Sequence, residues 1–140
     1  MHRVLLIHEI QLCIFNQIPF KQTLNALART CQAFSETALD VLWSDLDCFP
    51  RLIQCMPEDL WKRELKREGC FLTLCRPISS SDWAVLQKYT RRVRYVRQGP
   101  NRDFYGTFWG RLTLDDAFLL ALCAASAPTP LLPNLKSLKW

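Results

Sequence analysis

The chain has 140 residues, a formal net charge of +5, 49% hydrophobic residues and 22% charged ones. These proportions exclude a disordered low-complexity chain, and they allow one compact domain or a small module with part of another. The longest apolar run, 117–125, falls well short of the roughly 20 residues a bilayer needs, so no membrane span is expected.

The first element expected is a helix. Residues 5–15, LLIHEIQLCIF, are apolar on nearly every side when wound helically. Ile7, Ile10, Ile14 and Ile18 recur at helical spacing and draw one stripe over 8–18, while Leu12 and Phe15 lie roughly 100° or more from its centre. Pro19 is expected to stop this helix, because its ring cannot continue the hydrogen-bond ladder. Thr23 is the predicted cap of a second helix with Leu24, Leu27, Ala28, Cys31 and Phe34 on one face. Ser35 is the predicted cap of a third, which carries Ala38, Leu39, Leu42, Trp43 and Leu46. Residues 5–46 therefore read as a compact three-helix module. One buried face is enough to fold such a module, so the second apolar flank of the first helix asks for another use.

Beyond 46 the texture changes. Residues 48–69 suggest one or two short helices broken by Pro57, then a solvated charged segment ending at Gly69. Residues 70–78, CFLTLCRPI, are strand-like. The stretch SSSDWAVLQKYTRR predicts a helix with a serine cap and Asp82 in its first turn, followed by a strand in VRYVRQ. RLTLDDAFLLALCAAS repeats the device, with Thr113 as the expected cap and Asp115 and Asp116 near the positive helix end. The Pro-rich stretch APTPLLP then leads into LKSLKW. Val93 and Val96, and Leu135, Leu138 and Trp140, share the spacing of a leucine-rich-repeat strand, each preceded by a helix and about 42 residues apart.

Residues 5–46 resemble an F-box. Leu6, Glu9, Ile10, Ile14 and Phe15 fall at the spacing of its first helix, Leu27, Thr30, Cys31 and Phe34 match its middle segment, and Leu42-Trp43 its close. Ile7 stands where the family has a proline, which keeps apolar contact but not a pre-set start of the helix. The remainder is similar to the divergent leucine-rich-repeat part of fungal F-box proteins. The resemblance implies a non-catalytic substrate-recognition adaptor of a ubiquitin ligase, docked on a Skp-type adaptor and through it on a cullin. It implies docking by Leu6, Ile7, Glu9, Ile10, Ile14, Leu27, Cys31, Leu42 and Trp43, with one flank of the first helix in the core and the other on the partner. The expected fold is mainly α with minor β: an F-box-like domain over 5–46, then an α/β repeat-like region over 47–140. Two irregular repeats are fewer than a solenoid needs, so that region is expected to be incomplete, with an exposed edge at Trp140.

Other chemistries fit less well. The seven cysteines are odd in number and irregular in spacing, with no CxxC pair, and both histidines, His2 and His8, are N-terminal, so neither a disulfide framework nor a zinc site is expected. The start MHRVLLIHEI makes a poor signal peptide, so a cytoplasmic or nuclear location is expected. No base stands beside a nucleophile, no glycine-rich phosphate loop is present, and the pairs Glu58/Asp59 and Asp115/Asp116 read as helix-start charges, so neither an enzyme nor a cofactor is expected. Trp61, Trp83 and Trp109 read as packing residues. The alternatives are a nucleic-acid module using Arg91, Arg92, Arg94 and Arg97, or a truncated structural domain that has lost adaptor binding. A helix-turn-helix reading fails because the third helix carries Glu36, Asp40 and Asp45 and no Lys or Arg.

Overall fold

The computed structural model describes residues 3–97, 112–124 and 130–139. About 49% of these are helical and 19% are strand, with six α-helices, so the fold is mixed α/β. The chain divides into two compact units, 1–45 and 46–140.

The first unit opens with a 3-10 helix, Arg3–Leu6, followed by α1 (His8–Phe15), α2 (Lys21–Thr30) and α3 (Gln32–Ser44). Its core is small. Phe15, Leu24 and Ala38 are buried, one from each helix, and Ile18, Leu27, Ala28, Phe34, Val41 and Leu42 pack around them. Phe15 meets Phe34 edge to face, with ring centroids 5.7 Å apart and planes at 88°, the arrangement ring quadrupoles favour.

Three local expectations are corrected. α1 ends at Phe15 rather than running to Ile18, and Gln17 and Ile18 donate to Ile14 and Phe15 in tight turns, so Ile18 packs on the core from outside the helix. α2 starts at Lys21, with Thr23 inside it, and α3 starts at Gln32, with Ser35 inside it. Both helices begin without a side-chain cap, after Phe20 and Cys31 in extended conformation. A cap contributes about 1 kcal/mol. Starting α3 directly after a one-residue link instead adds a turn of helix and sets Phe34, Ala38 and Val41 on one line, and packing outweighs the cap.

In the second unit, α4 (Pro50–Ile53) is one turn with proline at its start. β2 (Trp61–Lys66) and β3 (Gly69–Leu74) form an antiparallel hairpin in which Lys66 faces Gly69. Gly69 has φ 144°, a region disfavoured once a Cβ is present. The charged stretch expected to be solvated is therefore a strand. It carries its own compensation: Lys62 pairs with Glu64 at 2.7 Å, Arg63 lies 6.0 Å from the Trp61 ring centroid, and Lys66 lies 5.0 Å from that of Phe71.

α5 (Ser80–Thr90) has the serine cap read from the sequence. Ser79 Oγ accepts from the Asp82 backbone N–H, and Asp82 accepts from the Ser79 N–H at 2.8 Å. Arg76 donates to Asp82 at 2.5 and 3.1 Å and to Asp59 at 2.7 and 3.3 Å. The Arg76 guanidinium, then the Ser79 hydrogen bonds, hold the Asp82 carboxyl far below the usual carboxylate range against the opposing effect of its burial. Asp59 sits in the turn before β2, not at a helix start, which corrects its reading as a helix-start charge.

β4 (Tyr95–Arg97) follows α5, and β5 (Thr113–Leu114), α6 (Asp116–Cys123) and β6 (Ser137–Lys139) complete the unit. The cap of α6 is Asp115, which accepts from the Phe118 N–H at 2.8 Å. Thr113, the expected cap, lies in β5 opposite Phe71. The strands form two sheets, in the orders β2-β3-β5 and β1-β4-β6, where β1 is Asp45–Leu46 at the unit boundary. β3 pairs parallel with β5 and β4 parallel with β6. The register sets Phe71 against Thr113 and Val96 against Leu138, so both sheets repeat with the one spacing that links Val96 and Leu138 in the sequence. Leu52, Ile53, Leu60, Leu72, Leu86, Val93 and Phe118 are fully buried in this unit. Trp109, Trp140 and part of the Pro-rich stretch lie outside the described residues.

Candidate docking surface

Two lines of side chains run along α1. Gln11 and Phe15, one turn apart, face inward and are buried. Ile7, Ile10 and Ile14 run along a flank roughly a quarter turn away. Leu6, Ile7 and Ile14 are 54%, 46% and 45% exposed, and Ile10 is half-buried. Val4 and Phe20 are exposed nearby in sequence. Isolated exposed apolar residues are ordinary, but three or four on one helical flank make a continuous apolar patch.

The structure distributes the nine expected docking residues unevenly. Ile7, Ile10 and Ile14 share the flank, Leu6 is exposed in the 3-10 turn just before it, and Glu9 is exposed in the first turn of α1, where its charge complements the helix dipole. Leu27 and Leu42 lie against Phe15, Leu24 and Ala38 inside the unit. Cys31 is the half-buried link between α2 and α3, and Trp43 is half-buried near the end of α3.

Sequence reasoning missed the polar network beneath α1. Gln11, 3% exposed, donates from Nε2 to the carbonyls of Leu5 at 2.6 Å and Ala33 at 3.2 Å. Its Oε1 accepts from the buried Thr37 hydroxyl at 2.6 Å. That hydroxyl spends its proton on Gln11, so the 2.9 Å contact between His8 Nδ1 and Thr37 Oγ1 has the imidazole as donor. Every polar atom of the Gln11 amide is thereby used. The bond to Leu5 also fixes the 3-10 turn that carries Leu6. A glutamine four residues before an inward phenylalanine is the signal that marks this position.

The other described residues offer little chemistry. A cavity of about 340 Å³ lies between α5 and 130–133, lined by Trp83, Gln87, Arg91, Pro130 and Leu131 among others, with no carboxylate, histidine or cysteine among the described residues of its wall. Asn134 ties the chain after 133 to the end of α5 by donating from Nδ2 to the Arg91 carbonyl at 2.6 Å. Among the described residues no group of three His, Cys, Asp or Glu is placed to hold a metal, and no helix is long and apolar enough to cross a membrane. The arginines of 91–97 do not share a face, since Arg92 is buried and donates to the Lys88 carbonyl at 3.1 Å. No family model, curated protein or solved structure matches the chain.

Proposed function

We propose that the protein is a non-catalytic F-box-type adaptor that docks a Skp-type adaptor, and through it a cullin, with the flank formed by Leu6, Ile7, Ile10 and Ile14. The observation that carries this reading is the exposed apolar flank on α1, set beside a helix face already satisfied by Gln11 and Phe15. It agrees with the resemblance of 5–46 to an F-box. A partner that lays a helix over such a flank is held by apolar anchors at one-turn spacing. Covering a large aliphatic side chain contributes about 1.5–3 kcal/mol when complete, and roughly half that for side chains already half-covered. In this reading the second unit engages the protein to be ubiquitinated.

Co-expression with a Skp-type adaptor tests it. Wild type should co-purify, while Ile14→Asp and Ile10→Asp should each weaken binding about tenfold or more. Ile14 is exposed, so Ile14→Asp should leave unfolding unchanged. Failure of the wild type to co-purify refutes the function. Undiminished binding by both variants refutes this choice of flank.

A further inference from the structure

We propose that the cavity between α5 and residues 130–133 binds a small amphipathic carboxylate, with its apolar body among Trp83, Leu86 and Leu131 and its carboxylate beside Lys88. At about 340 Å³ the cavity falls within the range of small-molecule sites. Its lining runs from covered to open. Trp83 and Leu86 are buried, Leu131 is half-buried, and Lys88, Pro130 and Pro133 are exposed. A ligand there meets apolar surface at depth and a charged group at the rim, which is the division an amphipathic molecule fits.

Both sides of the cavity are held before any ligand arrives. The Ser79–Asp82 capping box fixes the start of α5. At its end Asn134 Nδ2 donates to the Arg91 carbonyl at 2.6 Å, and the Lys136 N–H donates to the Arg94 carbonyl at 2.7 Å, so the chain after 133 is tied down. A pre-formed site loses little affinity to ordering. The polar groups of the lining select the head group. Its donors are the Trp83 indole N–H, which has no acceptor, the Gln87 amide, the Lys88 ammonium and the Arg91 guanidinium. Among the described residues its only side-chain acceptors are the Gln87 carbonyl and the Thr90 hydroxyl, and no Asp or Glu occurs in 83–97 or 130–139. A cationic ligand would therefore meet no carboxylate there. The C-terminal end of a helix ordinarily repels an anion through its open carbonyls. In α5 the carbonyls of Gln87, Lys88, Tyr89, Thr90 and Arg91 each accept a hydrogen bond, from the N–H groups of Arg91, Arg92 and Val93 and from the side chains of Arg92 and Asn134. Arg91 is engaged in a further interaction, so the carboxylate is assigned to Lys88, exposed three residues earlier. The described lining lies in the second unit, and binding there does not depend on the docking reading.

Isothermal titration calorimetry on the full chain tests the assignment, with phenylbutyrate as the probe and phenylbutanol and butyrate as comparisons. Phenylbutyrate should bind at a single site with millimolar affinity or better. Phenylbutanol, which lacks the charge, should bind several-fold more weakly, and butyrate, which lacks the ring, should not bind measurably. The indole N–H resonance of Trp83, assigned by its loss in Trp83→Phe, should shift as phenylbutyrate is added. Ala84 lines the cavity and is exposed, so Ala84→Trp should fill the space and abolish binding without unfolding the chain. Lys88→Glu should lower affinity about fivefold, whereas Arg67→Glu, the same charge change on the exposed β2–β3 turn, should leave it unchanged. The proposal is overturned if phenylbutyrate does not bind, if the Trp83 resonance stays in place, if phenylbutanol binds as tightly, or if Ala84→Trp or Lys88→Glu binds like wild type. Phenylbutyrate binding by a chain that fails to co-purify with the adaptor would uphold this site and refute the docking reading alone.

Discussion

The hydrogen-bonded chain from His8 through Thr37 to Gln11 predicts a stability effect that contacts taken singly would miss. Thr37→Val preserves shape and removes a hydroxyl that both donates to Gln11 Oε1 and accepts from His8. His8 is exposed and can turn to water, but Gln11 Oε1 is left without its donor inside the unit. An orphaned buried acceptor costs about 1–3 kcal/mol, and the added methyl returns up to about 0.8, so a net loss of roughly 1–2 kcal/mol is expected. Gln11→Leu alone should cost a similar amount, because it leaves the Thr37 hydroxyl only His8 as a partner and releases the carbonyls of Leu5 and Ala33. Combined, the two changes remove both buried polar partners. Leu5 is half-buried and Ala33 exposed, so their carbonyls can be hydrated. The double variant should therefore be more stable than the sum of the singles by about 1 kcal/mol or more. Hydrogen exchange of α1 and α3 amides, read by mass spectrometry on the full chain, gives the opening free energies. Gln11→Leu should also quicken exchange at Leu6 and Ile7, whose turn loses its tie to Gln11. Additivity within about 0.5 kcal/mol would refute the coupling, and unchanged exchange at Leu6 would refute the tie.

Ser79→Ala should destabilise the second unit by about 1 kcal/mol through loss of the α5 cap, and Asp82→Ala by more, since it also removes a carboxylate from Arg76; urea titration ranks them, and the reverse order would contradict the capping box. Because the native Asp82 carboxyl is held below its unfolded value, its stabilisation is present above about pH 4 and is lost as pH falls below that, so wild type should lose more stability on acidification than Asp82→Ala. Burial pushes the Cys55 thiol up to about 11, so iodoacetamide near neutral pH should label exposed Cys13, Cys75 and Cys123 well before Cys55 and buried Cys48; equal rates would show that the second unit opens readily. Phe118→Ala, at a fully buried position, should cost about 3–5 kcal/mol by thermal or urea unfolding, and a cost near 1 would mean the α6 face is not packed.

What the sequence displayed depended on whether one physical effect decided the outcome. The apolar faces of α2 and α3 were legible because Leu24, Leu27, Ala28 and Ala38 repeat at helical spacing and burial alone settles their direction. The starts of those helices were not legible. Thr23 and Ser35 are better local caps than Phe20 and Cys31, and the packing that overrides them involves residues distant in sequence. Ser79 and Asp82 were legible because both halves of the capping box lie within four residues. The strand at 61–66 was hidden by its charges, since its compensation comes from Trp61, Glu64 and, across the hairpin, Phe71. The pairing of β4 with β6 showed as a repeated spacing, yet nothing local revealed that Phe71 and Thr113 repeat it in a second sheet.

The least legible residue is also the one that gives the candidate surface its meaning. A first helix built only to fill its own unit would put apolar residues at the centre of its inward face and polar ones on its flanks. α1 does the reverse at position 11: an amide occupies a site that is 3% exposed, while Ile7 and Ile14 remain nearly half exposed. Gln11 is tolerated there because Leu5, Ala33 and Thr37 use all of its hydrogen-bonding capacity. Its inward orientation leaves Ile7, Ile10 and Ile14 to the side, where they are only partly covered. Exchanging Gln11 with an outer isoleucine would satisfy burial with fewer constraints, so burial within the unit does not account for the pattern. The docking proposed above would account for it. It also makes the orientation of α1, held by Gln11, a condition for presenting Leu6 and Ile7, so Gln11→Leu should weaken adaptor binding even where the helix itself persists.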